Sequence, residues 1–188
     1  METLNEIYDK YREDRFSFQT DTGGGDKDTV HSYIPHYERL LEPYRKNSTF
    51  LEIGIWKGQS IKMWDEYFVD SKVVGVEVFE ERTGGLHEDP NYNVIVADAT
   101  KLDFLNQIED LSFDVIIDDG SHYLQEQIIS FNLLKGKMNK GGIYIIEDIK
   151  NIDRNRRYFE DSLHYNCEII DLREERNRQD NVLVVYRF

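Results

Sequence analysis

Cysteine, basic residues and long apolar runs are all scarce in this chain of 188 residues. The single cysteine, Cys167, excludes a disulfide framework and a thiolate metal cluster. Lysine and arginine number 23 against 37 aspartates and glutamates, a net charge of -14 that argues against a nucleic-acid backbone as partner. No apolar stretch approaches the roughly 20 residues of a membrane helix. The first residues, METLNEIYDKYRED, are charged where a signal peptide has an apolar core. These absences read as a soluble, cytoplasmic protein with neither a membrane nor a nucleic-acid partner. The length suits one ordinary domain that buries a substantial core.

What is present is an alternation of strand and helix patterns. Glu2 to Arg15 reads as an amphipathic helix with Leu4, Ile7, Tyr8 and Tyr11 on one face, and its exposure makes it a candidate contact in a homo-oligomer. The three glycines within Ser17 to Thr29 mark a loop, and a second helix is expected from His31 to about Tyr44. Strands are expected at Thr49 to Ile55, Lys72 to Val78, Tyr92 to Ala97, Phe113 to Asp118 and Gly142 to Glu147. Helices fall between them at Gln59 to Tyr67, Lys101 to Glu109 and Tyr123 to Lys137. This βαβα order predicts an α/β, doubly wound sheet with helices on both faces. Tyr165 to Leu172 and Asn181 to Phe188 read as two strands joined by a polar loop without a helix. They would bring the sheet to seven strands, the last antiparallel.

Two strand tips carry the densest chemistry. FDVIIDDGSH ends in Asp118 and Asp119, and GGIYIIEDI ends in Glu147 and Asp148. Adjacent parallel strands lie about 5 Å apart, so four carboxylates would crowd the crevice where open α/β sheets bind ligands. Like charges that close raise one another's pKa or hold a cation. Oxygen ligands suit magnesium, and ligand type alone does not separate it from manganese or calcium. Asp118-Asp119-Gly120-Ser121 also reads as a turn and helix cap, and Glu147-Asp148 as a cap for a helix near Asn151.

A cofactor pattern lies upstream. In LEIGIWKGQS, Leu51 to Ser60, a strand ends and Gly54 and Gly58 form a G-x-x-x-G turn before a helix. Such a turn lets backbone approach a ligand at a helix N-terminus. The spacing differs from the G-x-G-x-x-G of dinucleotide binders and favours a nucleoside without a pyrophosphate. Glu77 ends the next strand, where an acid can hold ribose hydroxyls. Asp98 and Ala99 follow the third strand, with Asp98 within reach of an adenine amino group. Each acid alone also reads as a turn or cap residue. Trp56 in the glycine turn either stacks near a cofactor or packs, and Arg154, Arg156 and Arg157 either meet a phosphate or form a solvated helix end.

LEIGIWKGQS, GVEVF, VADAT, FDVIIDDGSH and GGIYIIEDI resemble the motif series of class I S-adenosylmethionine-dependent methyltransferases. The similarity is strongest to the metal-dependent macrolide sugar O-methyltransferases of the mycinamicin and macrocin type. Asp26 to Tyr33, DKDTVHSY, is similar to that family's N-terminal segment, and the hairpin sequence near the C-terminal end is similar too. The resemblance implies a Rossmann-like fold, with residues 46–188 as the methyltransferase domain and residues 1–45 as a helical extension and cofactor-covering loop. It implies Asp119, Glu147 and Asp148 as ligands of magnesium or manganese and His122 as the base, with Asp119 also catalytic. Glu52, Gly54, Gly58, Ser60, Glu77, Asp98, Ala99, Asp118, His31 and Tyr33 would surround S-adenosylmethionine. His31 either helps bind the methionine end of the cofactor or packs, and Asp118 either supports the metal site or joins it.

The implied reaction is methyl transfer to a hydroxyl of a sugar-containing small molecule. Such a hydroxyl is a weak nucleophile, which a chelating cation and a histidine base would activate. A metal-dependent hydrolase, a nicotinamide-dependent sugar-modifying enzyme and a non-catalytic cofactor-binding subunit are the rival readings. The wrong glycine spacing counts against the nicotinamide enzyme, and neither the hydrolase nor the subunit needs every one of these acids.

Overall fold

In chain order the strands are β1 (Thr49–Ile53), β2 (Lys72–Glu77), β3 (Asn93–Val96), β4 (Phe113–Asp118), β5 (Met138–Ile146), β6 (Cys167–Asp171) and β7 (Val182–Arg187). The computed structural model describes residues 1–12, 25–160 and 167–188. The expected first helix past Arg12, the glycine loop up to residue 24, and Tyr165 at the start of the expected sixth strand lie outside the described residues. The strands form one sheet in the order β3-β2-β1-β4-β5-β7-β6. The first five pair in parallel, and β7 alone runs against its neighbours β5 and β6. This is the Rossmann-like, seven-stranded arrangement expected from the sequence.

The helices are α1 (Leu4–Tyr11), α2 (Ile34–Leu41), α3 (Gln59–Tyr67), α4 (Phe104–Gln107), α5 (Leu124–Leu134), α6 (Ile152–Glu160) and α7 (Arg173–Arg176). Thr3 and Glu6 close a capping box on α1, whose Leu4, Ile7 and Tyr8 are buried while Tyr11 packs at the edge of the same core. Pro35 sits in the first turn of α2, where its missing N–H costs no hydrogen bond.

Three expectations need correction. The helix expected over Lys101 to Glu109 is the four residues of α4, preceded by turns. The loop between the last two strands contains the single helical turn α7, formed by four good helix formers and ended by Asn177 in the left-handed region at φ 52°. Strand β5 starts at Met138 rather than Gly142, because an irregular register lets Met138 pair with Phe113 before regular pairing resumes at Ile143.

Central strands are apolar on both faces because helices cover both. Val115, Ile117, Ile143, Ile145 and Val185 join α1, α2 and α3 in one core, with Trp64 fully buried within it. Ile116, Tyr144, Ile146 and Val184 point the other way, against Phe104, Phe131 and Phe159. The chain leaves β1 toward β2 and β3, and leaves β4 toward β5, so the crossovers diverge between β1 and β4. The crevice of an open α/β sheet lies at the carboxyl ends of such a pair. Among the described residues no helix is long and apolar enough to cross a membrane.

Candidate active site

Register sets the tips of β1, β4 and β5 side by side. Ile53 pairs with Asp118 and Asp118 with Ile146. Beyond them the Asp119 N–H donates to Ile53 O at 2.9 Å, and the Glu147 N–H to Asp118 O at 2.9 Å. Gly54 turns away at φ 81°, against the Asp119 carbonyl. Gly58, at φ 78°, is the N-cap of α3 and provides no side-chain cap. The turn therefore leaves helix N–H groups for a ligand.

A cavity of about 870 Å³ opens over these tips, large enough for a nucleoside cofactor together with part of an acceptor. Of the residues expected around a cofactor, Gly54, Ser60, Glu77, Asp98, Ala99 and Asp118 line it. The Glu77 carboxylate accepts from the N–H groups of Trp56, Val78 and Phe79. Asp98 accepts from the Thr100 N–H at 2.9 Å and hydroxyl at 2.6 Å, so its turn role is realised alongside its place in the wall. Trp56 is exposed, with the Arg82 guanidinium 4.9 Å from its ring centre.

Glu52, Gly58, His31 and Tyr33 are not in the cavity wall. The wholly buried Glu52 carboxylate accepts from Ser60 Oγ at 2.6 Å and Trp64 Nε1 at 3.1 Å. Gly58 approaches Leu86, which a Cβ would meet at 2.1 Å. Tyr33 donates its hydroxyl to Asp148 Oδ1 at 2.8 Å, and the His31 ring stacks on Tyr33 at 4.7 Å. Neither ring nitrogen of the buried His31 has a hydrogen-bond partner among the described residues, although Nδ1 stands 3.4 Å from Asp148 Oδ1. Burial pulls the His31 pKa down to about 4.

The acidic tips differ from one another. Asp118 is buried under hydrogen bonds from Ser130, Tyr144 and the Gly120 N–H, and desolvation raises its pKa to about 6. Asp119 is partly exposed at the cavity wall. Burial, and then the Asp119 charge, raise Asp148 to about 8 and hold Glu147 well above the usual carboxylate range. His122 Nε2 stands 3.9 Å from Asp148 Oδ2, and burial lowers the imidazole pKa. His122, at φ 57°, and Asp148, at φ 55°, both hold left-handed backbone, a region that Asp and His enter more readily than most side chains.

Lys27 is the centre of the site, although no sequence pattern gave it a role. Its ammonium lies 2.7 Å from Asp119 Oδ2, 2.5 Å from Glu147 Oε1 and 3.4 Å from Glu52 Oε1, almost wholly buried. Burial alone would lower its pKa, but the carboxylates of Asp119, Glu147 and Glu52 hold it well above the usual lysine value. Tyr37 also donates to Glu147 Oε1, at 2.6 Å.

The donor set can accommodate a divalent cation. Asp119, His122 and Asp148 each offer one ligand atom within 4.8 Å of the others, and Glu52, Asp119 and Glu147 form a second such group. The three expected carboxylates are thus divided between two groups that share Asp119. Lys27 brings one positive charge to Glu52, Asp119 and Glu147, while among the described residues Asp148 has the Tyr33 hydroxyl, the His31 ring and His122 Nε2 close by. The raised pKa of Asp148 and Glu147 reflects burial first and then carboxyls crowded without enough positive charge, a condition that a bound cation would relieve.

No family model matches the chain. It is 32% identical over 137 residues to the 8-demethyl-8-alpha-L-rhamnosyl tetracenomycin-C 2'-O-methyltransferase of Streptomyces olivaceus, across 68% of this chain and 35% of that protein. It is similar to the solved structure of MycE, a methyltransferase from the mycinamycin biosynthetic pathway in complex with magnesium and S-adenosylhomocysteine. That match has a TM-score of 0.63 at 29% identity, across 78% of this chain and 37% of MycE. An O-methyltransferase from Bacillus cereus shares the fold with a TM-score of 0.64 at 16% identity, across 99% of this chain and 90% of that one. The chain spans about a third of the length of the curated relatives it matches. Sequence and fold together relate this chain to the class I S-adenosylmethionine-dependent sugar O-methyltransferases, the relationship that its motifs carry.

Proposed function

We propose that this chain transfers a methyl group from S-adenosylmethionine to a hydroxyl of a sugar-containing small molecule, with magnesium or manganese bound. One observation carries the reading: Gly54, Glu77, Asp98, Asp119, His122 and Asp148 all line one cavity. A nucleoside donor and a chelated acceptor would share it. The activity in the tetracenomycin enzyme's name, and the magnesium and S-adenosylhomocysteine bound by MycE, support the same reading.

The Gly54 turn and the α3 N-terminus receive the cofactor, Glu77 takes its ribose and Asp98 its base. Asp119 and Asp148 hold the cation, with Glu147 beside them. When bound, the cation lowers the pKa of a chelated hydroxyl and fixes its orientation. His122, whose imidazole burial shifts toward the neutral form, accepts the hydroxyl proton at Nε2, with Asp148 beside it. Alignment of donor and acceptor in the cavity supplies the remaining acceleration.

Calorimetric titration with S-adenosylhomocysteine, with and without magnesium, tests the framework. Micromolar binding is expected, followed by label transfer from S-adenosylmethionine to a member of a panel of glycosides. Absence of binding under both conditions overturns the proposal.

A further inference from the structure

Lys27 occupies the place that a metal reading assigns to the metal. We propose that its ammonium is an internal cation that competes with the divalent ion for Asp119 and Glu147. Metal loading and withdrawal of the Lys27 side chain are then one event. The inference rests on the metal-assisted reading of the same crevice.

The geometry supplies the competition. Asp119 Oδ2 and Glu147 Oε1 both lie within 2.7 Å of Lys27 Nζ, so each already spends its shortest contact on that ammonium. Glu147 Oε1 also accepts from Tyr37, which leaves this oxygen poorly placed for a further cation. Asp148 and His122 belong with Asp119 to a ligand group that does not include Glu147, and no hydrogen bond or ion pair among the described residues joins either of them to Lys27. With Lys27 in place the crevice therefore offers a divalent ion only part of the expected ligand set. Departure of Lys27 returns Asp119 and Glu147 to it. The side chain arrives on the backbone of Gly25 to Tyr33, which is tied down on both flanks. The Tyr8 hydroxyl donates to Gly25 O at 2.6 Å and accepts from the N–H groups of Asp28 and Thr29. Arg176 reaches Asp28 O at 2.7 Å and Ser32 Oγ at 3.1 Å.

Electrostatics gives the sign. One ammonium among Glu52, Asp119 and Glu147 screens the attraction that those carboxylates exert on an incoming ion. Its removal leaves buried like charges whose cheapest partner is a divalent cation. Lys27→Gln is therefore expected to bind magnesium at least about tenfold more tightly by calorimetry, roughly 1.4 kcal/mol. Its melting temperature should rise more on magnesium addition than that of the unaltered protein. A buried, hydrogen-bonded ammonium exchanges slowly with water, so the unaltered protein supplies a second readout. The ¹⁵N-detected NH₃⁺ resonance of Lys27 should move or vanish on titration with magnesium.

Tighter metal binding by Lys27→Gln, or folding of that variant only when magnesium is present, supports the competition. Equal or weaker binding by the variant overturns it while leaving the metal reading intact, as does an ammonium resonance unmoved at saturating magnesium. Binding of magnesium by neither protein overturns both. If Lys27→Gln fails to fold under every condition, the resonance of the unaltered protein decides.

Discussion

Gly54 and Asp119 meet backbone to backbone at the carboxyl ends of β1 and β4, so closely that a Cβ on Gly54 would stand 2.2 Å from the Asp119 carbonyl oxygen. The glycine is therefore required twice, by its φ of 81° and by its neighbour. Gly54→Ala is expected to cost about 1–3 kcal/mol in folding free energy. It should also displace Asp119 from the crevice. Urea denaturation together with S-adenosylhomocysteine titration checks this, and a variant with unchanged stability and affinity would contradict the contact.

Glu77 separates cofactor binding from metal binding. Hydrogen bonds to charged groups contribute roughly 1.5–3 kcal/mol. Glu77→Ala should therefore weaken S-adenosylhomocysteine by about 10- to 100-fold, with magnesium affinity unchanged. Calorimetry of both ligands on one sample measures the two effects. Equal loss of both would mean that Glu77 acts through the sheet, by releasing the N–H groups of Trp56, Val78 and Phe79.

His122→Ala should retain cofactor affinity and lose about 10²–10⁴-fold in kcat, the usual contribution of a positioned base. Single-turnover methyl transfer with saturating acceptor is the measurement. Retention of full activity would move the base role to another group in the wall.

Cys167 provides a pH test far from the crevice chemistry. Burial raises its thiol pKa to about 11 from an ordinary value of 9.0, the nearby Glu160 charge adding to the effect. A raised pKa keeps the thiol protonated, so the reactive thiolate is scarce at pH 8.5. Iodoacetamide should therefore modify the folded protein about 100-fold more slowly than the urea-unfolded chain, in proportion to the thiolate each contains. The folded rate should still be climbing above pH 10, where the unfolded rate levels off. Matching pH profiles would refute the raised pKa.

The features legible in the sequence were those expressed over short spans. An apolar run ending in two acids announced both the β4 and the β5 tip. Gly58 was visible as a turn residue, although its close approach to Leu86 was not. Lys27 stood in the family-like segment DKDTVHSY, but its role was hidden because its partners Asp119 and Glu147 lie 92 and 120 residues away. No local pattern distinguishes a lysine that enters a core from one that stays in water. Glu52 was visible as a member of the glycine motif, but its orientation toward Ser60, Trp64 and Lys27 depends on α3 packing over β1. Residues 173–176 read as loop because a single helical turn is too short for periodicity to register.

Strand β7 is inserted between β5 and β6 after both have been synthesised. The strand whose tip bears Glu147 and Asp148 therefore has an open edge for as long as residues 182–187 are still emerging from the ribosome. Four residues of β5, Ile143 to Ile146, find their outer partners only in β7, as do all five of β6. A nascent chain halted before Val182 would carry the acidic crevice on a half-walled sheet, with two unpaired edges exposed to other chains.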